Sequence, residues 1–170
     1  MPEFRLENAE GVIKPNSSFL SHGTQSRKGN AVKTTDVKLT LEVTLADEHI
    51  KGVEYLFPDL DLYLKRVAGI EWYKGEDRDS RTKIPEINVK VVYRNTVLLE
   101  QKNCPIKGKP KLKVNKDGEA TLVLRPLVKV DDRELVAIAQ HVESDVHISM
   151  EVEQIDLEHT GSGLGIRAIA

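Results

Sequence analysis

Val37, Leu39, Leu41, Val43 and Leu45 alternate with Lys38, Thr40, Glu42 and Thr44 over residues 36–46. A period of two sends successive side chains to opposite faces, so this segment predicts a strand with one buried and one wet face. Ile50, Val53 and Phe57 then share a helical face, with Asp47 as the expected cap and Pro58 as the interruption. Because proline fits the first turn of a helix, a second helix is predicted from there. Leu60, Leu64 and Val67 are its inward stripe and Gly69 its stop.

IEWY (70–73) predicts a short strand, and the charged KGEDRDSRTK (74–83) a loop. Residues 85–102, rich in β-branched side chains, read as two strands around Arg94 and Asn95. The acidic start of DDRELVAIAQHV (131–142) suits a helix N-terminus, with Leu135, Ile138, Ala139 and Val142 facing inward. Residues 145–158 alternate as a final strand, with Val146, Ile148, Met150 and Val152 inward. Strands that neighbour one another in sequence imply an α+β fold with a largely antiparallel sheet. It would hold about six or seven strands and two or three helices, with flexible N- and C-terminal arms.

Three regions follow: an N-terminal arm (1–35), one α+β domain (36–158) and a Gly-rich C-terminal tail (159–170). The first contains PNSS and HGTQSRKGN without sustained periodicity, and two short apolar pieces, Val12–Ile13 and Phe19–Leu20, suited to docking on a neighbour. At 170 residues the chain suits a single core. Its 39 % hydrophobic and 31 % charged residues fit a compact domain carrying polar ends.

The stretch KGKPKLKVNKDGEATLVL (107–124) is the most distinctive. A two-residue loop at Asp117 and Gly118 would mix lysines and apolar residues on one face. One more loop residue pairs Asn115 with Glu119, Val114 with Ala120 and Leu112 with Leu122, leaving Lys111, Lys113 and Thr121 on the wet face. Asn-Lys-Asp-Gly suits a type I turn closed by a glycine at positive φ. Lys109, Lys111, Lys113 and Lys116 then make a basic ridge, a candidate surface for nucleic acid or a partner. No Phe, Tyr or Trp follows Tyr93, so the ridge has no stacking platform of its own. Lysines also protect sheet edges, and Glu151, Glu153 or Asp156 are acids expected opposite them.

The adjacent Trp72 and Tyr73 point to opposite faces of a strand, so one is a candidate partner anchor or base-stacking ring and the other core. A net charge of −2 gives no global pull toward nucleic acid or acidic membranes. No signal-peptide core or membrane span is legible, and the lone Cys104 suits a reducing compartment, so a soluble cytoplasmic protein is expected. The five histidines show no metal-ligand spacing, and GSGLG (161–165) opens no helix of useful length. Neither catalytic nor metal-binding residues are nominated, and no cofactor is expected.

These readings converge on a non-enzymatic interaction or assembly protein, binding a protein partner or self-associating through its arms and sheet edge. The alternative is a nucleic-acid-binding accessory protein using the 107–116 hairpin.

Overall fold

The computed structural model describes residues 4–152 apart from 16, 28, 69, 71–74, 81–83, 85 and 116, and only the backbone of 18–27, 30–32 and 76. The first half contains β1 (Arg5–Ile13), β2 (Ser18–Arg27), β3 (Asn30–Lys38), β4 (Leu41–Leu45), α1 (Ile50–Val53), α2 (Leu60–Val67) and β5 (Glu76–Asp79). The second half contains β6 (Glu86–Tyr93), β7 (Thr96–Pro105), β8 (Lys111–Val114), β9 (Ala120–Leu124), β10 (Leu127–Val130), α3 (Asp132–Gln140) and β11 (Val146–Glu151). An eight-stranded sheet runs in the order β5-β8-β9-β4-β1-β11-β6-β7, and a three-stranded sheet in the order β10-β3-β2. Every paired strand in both is antiparallel, so the expected class holds: α+β with antiparallel sheets.

Residues 1–35 were expected to be an arm, and the described part of them is instead β1, β2 and the start of β3. β1 lies between β4 and β11, deep in the large sheet. Phe4, Leu6, Ala9 and Ile13 are fully or almost fully buried there. Each large apolar side chain so placed contributes about 1.5–3 kcal/mol, enough to hold the segment in the body. A bulge between Leu6 and Ala9, with Asn8 at φ 46°, explains why the alternation was hidden. Bulging inserts one residue and breaks the period of two. The C-terminal tail (159–170) lies outside the described residues.

α1 closes over this strand. A Cβ at Gly52 would overlap the Arg5 carbonyl oxygen, so only glycine lets the helix backbone lie so near β1. The expected cap, Asp47, instead opens a one-turn 3-10 helix whose cap position is Ala46; the buried His49 does the local work. Its Nδ1 accepts the Ala46 amide at 3.0 Å and its Nε2 donates to the Glu7 carbonyl at 3.1 Å. That pair of bonds selects the neutral Nε2–H tautomer.

The continuous alternation at 36–46 spans two strands in different sheets. β3 ends at Lys38 and β4 begins at Leu41. Between them Leu39 donates to the Pro126 carbonyl at 2.9 Å, and the Thr40 amide donates to Ser17 Oγ at 2.9 Å. Residues 74–83, expected as a loop, contain the edge strand β5. The strand expected at 70–73 falls mainly outside the described residues. α3 is fastened by a reciprocal cap: Asp131 Oδ1 accepts from the Glu134 amide at 2.8 Å, and Glu134 Oε1 from the Asp131 amide at 3.0 Å. Its inner side carries Leu135 and Ile138, whereas Ala139, expected inward, is exposed.

Val37, Val128 and Val130 of the small sheet join Leu41, Val43, Leu112, Leu122, Ile148 and Met150 of the large one in a single buried cluster. Val53, Leu60, Val67 and Ile138 bring the helices into the same cluster.

Candidate functional site: two hairpins and the sheet edges

The lysine hairpin has the register derived from its sequence. Leu112 pairs with Leu122, Lys113 with Thr121 and Val114 with Ala120. Asn115 organises the turn: its amide donates to the Glu119 carbonyl at 3.0 Å, and its Oδ1 accepts the Asp117 and Glu119 amides at 3.0 Å each. Gly118 sits at φ +79°, the conformation that a Cβ disfavours. Lys116 lies outside the described residues, as do Trp72 and Tyr73, the candidate anchor or base-stacking rings.

What stands opposite the lysines decides their chemistry. β5 pairs with β8 so that Asp79 faces Lys111 and Asp77 faces Lys113. Lys113 Nζ also lies 3.4 Å from Glu42 Oε2 on β4. The acids expected opposite the ridge were Glu151, Glu153 or Asp156. Glu151 sits on β11, four strands from β8 in the sheet order, and the other two lie outside the described residues. Lys111 and Lys113 are thus matched by local acids, and Lys107 and Lys109 remain on the exposed approach to β8. Cross-strand pairs of this kind stabilise a sheet and lower its attraction for polyanions.

The remaining edges differ sharply. β7, an outer strand of the large sheet, meets β10, an outer strand of the small one, through a side chain. Gln101 Nε2 donates to the Lys129 carbonyl and Oε1 accepts the Lys129 amide, both at 2.9 Å. The primary amide thereby imitates a peptide group and joins the two sheets. β5 is only four residues long, reading EDRD, and such short charged strands resist pairing with other chains. β2 is ten residues long, and among the described residues its hydrogen-bonded neighbour is β3 alone. β3 pairs with β10 only from Thr35 to Lys38, so nearer its turn the β2–β3 hairpin is a two-stranded ribbon.

Sequence reasoning missed this ribbon, although a signal was available. No Asp or Glu occurs from residue 11 to residue 35, while Arg27, Lys28 and Lys33 all fall in the hairpin segment. At its base the pattern ends: Lys129 Nζ lies 3.2 Å from Asp36 Oδ1.

Surface hollows among the described residues include three of moderate size. One of about 440 Å³ is lined by Phe57, Asp59, Leu62, Tyr63, Arg66 and Arg78 among others, with the Arg78 and Arg66 guanidinium carbons 4.5 and 5.7 Å from the Tyr63 ring centre. A second of about 590 Å³ spreads over the outer face, where Lys90, Glu100, Ser149 and Glu151 mix charges of both signs. The third, of about 440 Å³, lies beside Glu7 and His49. Among the described residues no group of three or more His, Cys, Asp or Glu is arranged to hold a metal ion. Cys104 is buried, and that burial, reinforced by the Glu86 charge, pushes its thiol up to about 11. At neutral pH it is therefore a protonated, weak nucleophile. His141 Nδ1 donates to the Ala137 carbonyl at 2.8 Å, and its ring lies 4.2 Å from that of Tyr93.

No family model matches the chain, and neither a curated protein nor a solved structure gives a significant match. No helix among the described residues is long and apolar enough to cross a membrane.

Proposed function

We propose that this chain is a non-enzymatic interaction protein that takes a protein partner, or a second copy of itself, as an added strand along β2. The observation that carries the reading is the contrast among the outer strands. β7 and β10 are joined through Gln101, β5 is short and charged, and β2 offers ten residues with one neighbour among those described. Unpaired amides and carbonyls along a strand template the addition of another chain. The non-enzymatic part is supported by what the reactive side chains already do. Cys104 is held as a buried thiol, His49 links Ala46 to Glu7, and His141 bonds to Ala137.

Light scattering across a concentration series and a pull-down, each run on wild type, Thr24→Pro and Gln25→Pro, test this. Successive amides of a strand point to opposite edges, so one of the two prolines removes an outward donor. Wild type is expected to associate and one proline variant to lose that association. If all three have the same size and capture the same proteins, strand addition at β2 is wrong.

The second reading, nucleic-acid binding by residues 107–116, is favoured by the exposure of Lys107 and Lys109. It is weakened by the acids opposite Lys111 and Lys113. Salt-sensitive binding that disappears in Lys107→Glu with Lys109→Glu would support it.

A further inference from the structure

We propose that the hollow between α2 and β5 binds a carboxylate carried on an apolar group, either a free organic acid or the C-terminal residue of another chain. The proposal stands apart from strand addition at β2, which belongs to the other sheet. At about 440 Å³ the hollow is within the usual range of small-molecule sites. Its walls come from two elements. On α2, Leu62 and Tyr63 lie four and three residues before Arg66, so the three share one flank of the helix, while Leu60 and Val67 are buried. Leu62 is 66 % exposed, the most exposed large apolar side chain among the described residues. Facing α2, Arg78 of β5 pairs with Leu112 of β8, and cross-strand partners share a face. Leu112 is fully buried, so Arg78 occupies the core-facing row of the sheet at its edge. Packing alone would place an apolar residue there. Ser80 Oγ donates to the Leu56 carbonyl at 3.4 Å and the Ser80 amide to the Pro110 carbonyl at 2.8 Å, so the end of β5 is tied to the segment before α2 and the hollow is preformed.

The two guanidiniums gather on one ring, Arg78 at 4.5 Å and Arg66 at 5.7 Å from the Tyr63 centre. An inward charge that protects a sheet edge would account for Arg78 alone. It does not account for a second cation, from a different element, on the same ring. Like charges so placed repel, and an anion between them relieves the repulsion. Contact with a ring face engages the charge of a guanidinium and not its N–H fork. Among the described residues Arg66 has no ion-pair partner, so its fork can take a carboxylate in charge-assisted bonds. The acids at the hollow set the charge of the ligand. Asp79 follows Arg78 on the strand, so it alternates to the opposite face, where its partner is Lys111. Asp59 remains, and against two arginines it leaves one positive charge, the match of a single carboxylate. A phosphate dianion or a nucleic acid brings more negative charge against Asp59 and no apolar body to cover Leu62 and Phe57.

The probes are hydrocinnamate, N-acetylphenylalanine, its uncharged amide N-acetylphenylalaninamide, and inorganic phosphate. Each is titrated into the full chain and followed by NMR at the amides of Leu62, Tyr63 and Arg66. Both acids are expected to shift these signals saturably, and the amide and phosphate to bind at least tenfold more weakly. Tighter binding of N-acetylphenylalanine than of hydrocinnamate supports a C-terminal residue as the occupant, and the reverse order supports a free acid. Arg66→Gln and Arg78→Gln are each expected to weaken the acids about tenfold, one charge-assisted contact being lost. Arg66→Lys, which keeps the charge without the fork, is expected to recover part of that loss. Lys107→Gln, on the approach to β8, is expected to change nothing. Failure of both acids to bind, equal binding of the amide, tighter binding of phosphate, or full affinity in both glutamine variants overturns the proposal.

Discussion

The β8–β9 and β2–β3 hairpins are both rich in cations and both turn through a glycine at positive φ, Gly118 at +79° and Gly29 at +80°. They are otherwise opposites. β8 is flanked on both sides, with Asp77 and Asp79 on β5 and Glu42 nearby to match its lysines. Its other face carries Leu112 and Val114 into the core. Among the described residues β2 has a neighbour on one side, and its hairpin contains no acid before Asp36. A run of lysines is thus a poor guide to a binding surface until the residues across the strand are known. A sparser set of cations in a hairpin segment that contains no acid is the better lead.

The contrast breaks most visibly in stability. Leu112→Ala on the core face of β8 is expected to cost about 2–5 kcal/mol in urea denaturation. Lys33→Ala on the ribbon is expected to stay within about 0.5 kcal/mol. Similar losses for the two would mean that the ribbon is part of the cooperative core.

The two turn glycines sharpen the point. Alanine at either pays about 1–2 kcal/mol locally for the left-handed conformation. Only Gly118→Ala is expected to lower global stability by that amount, because β8 and β9 unfold with the core. Gly29→Ala is expected to raise amide exchange across β2 and β3 while leaving the unfolding midpoint nearly unchanged.

Charge offers a conversion. Asp77→Asn with Asp79→Asn strips the acids facing Lys113 and Lys111 and makes β8 resemble the ribbon. The variant should elute from heparin at higher salt than wild type, at a stability cost of about 0.2–1 kcal/mol per pair. Unchanged elution would show that those acids do not screen the ridge.

The smallest effect concerns Cys104, on the strand that Gln101 links to β10. Its thiol is pushed up to about 11, so the folded state favours the protonated form more than the unfolded chain does. This contribution is complete below the ordinary thiol range and is lost as pH rises toward about 11. Cys104→Ala should therefore lose less stability than wild type over that alkaline interval. A steeper loss in the variant would contradict the assignment.

Much of the fold was legible because apolar spacing survived locally. The lysine hairpin yielded its register to one test, that a slip would bury charge, and the pairing of Leu112 with Leu122 follows from it. The two strands around Arg94 and Asn95 were readable from their β-branched side chains. β1 was not, because its buried positions, Leu6, Ala9 and Ile13, are spaced across a bulge and fit no single period. The alternation from Val37 to Leu45 was read as one strand, since period two records which side a residue faces and not which sheet it joins.

The sequence by itself determined the secondary-structure class, the turn at Asn115 and the wet and dry faces of β8, since these depend on neighbours a few residues away. Only the tertiary structure decided that Phe4 and Leu6 belong to the core, that Asp77 and Asp79 face the lysines, and that Gln101 joins two sheets. It also decided which strand has a single hydrogen-bonded neighbour among the described residues. Pairing across long stretches of chain sets all of these. The free energy that selects one pairing comes from burying surface shared by segments far apart in sequence, so no local pattern records it.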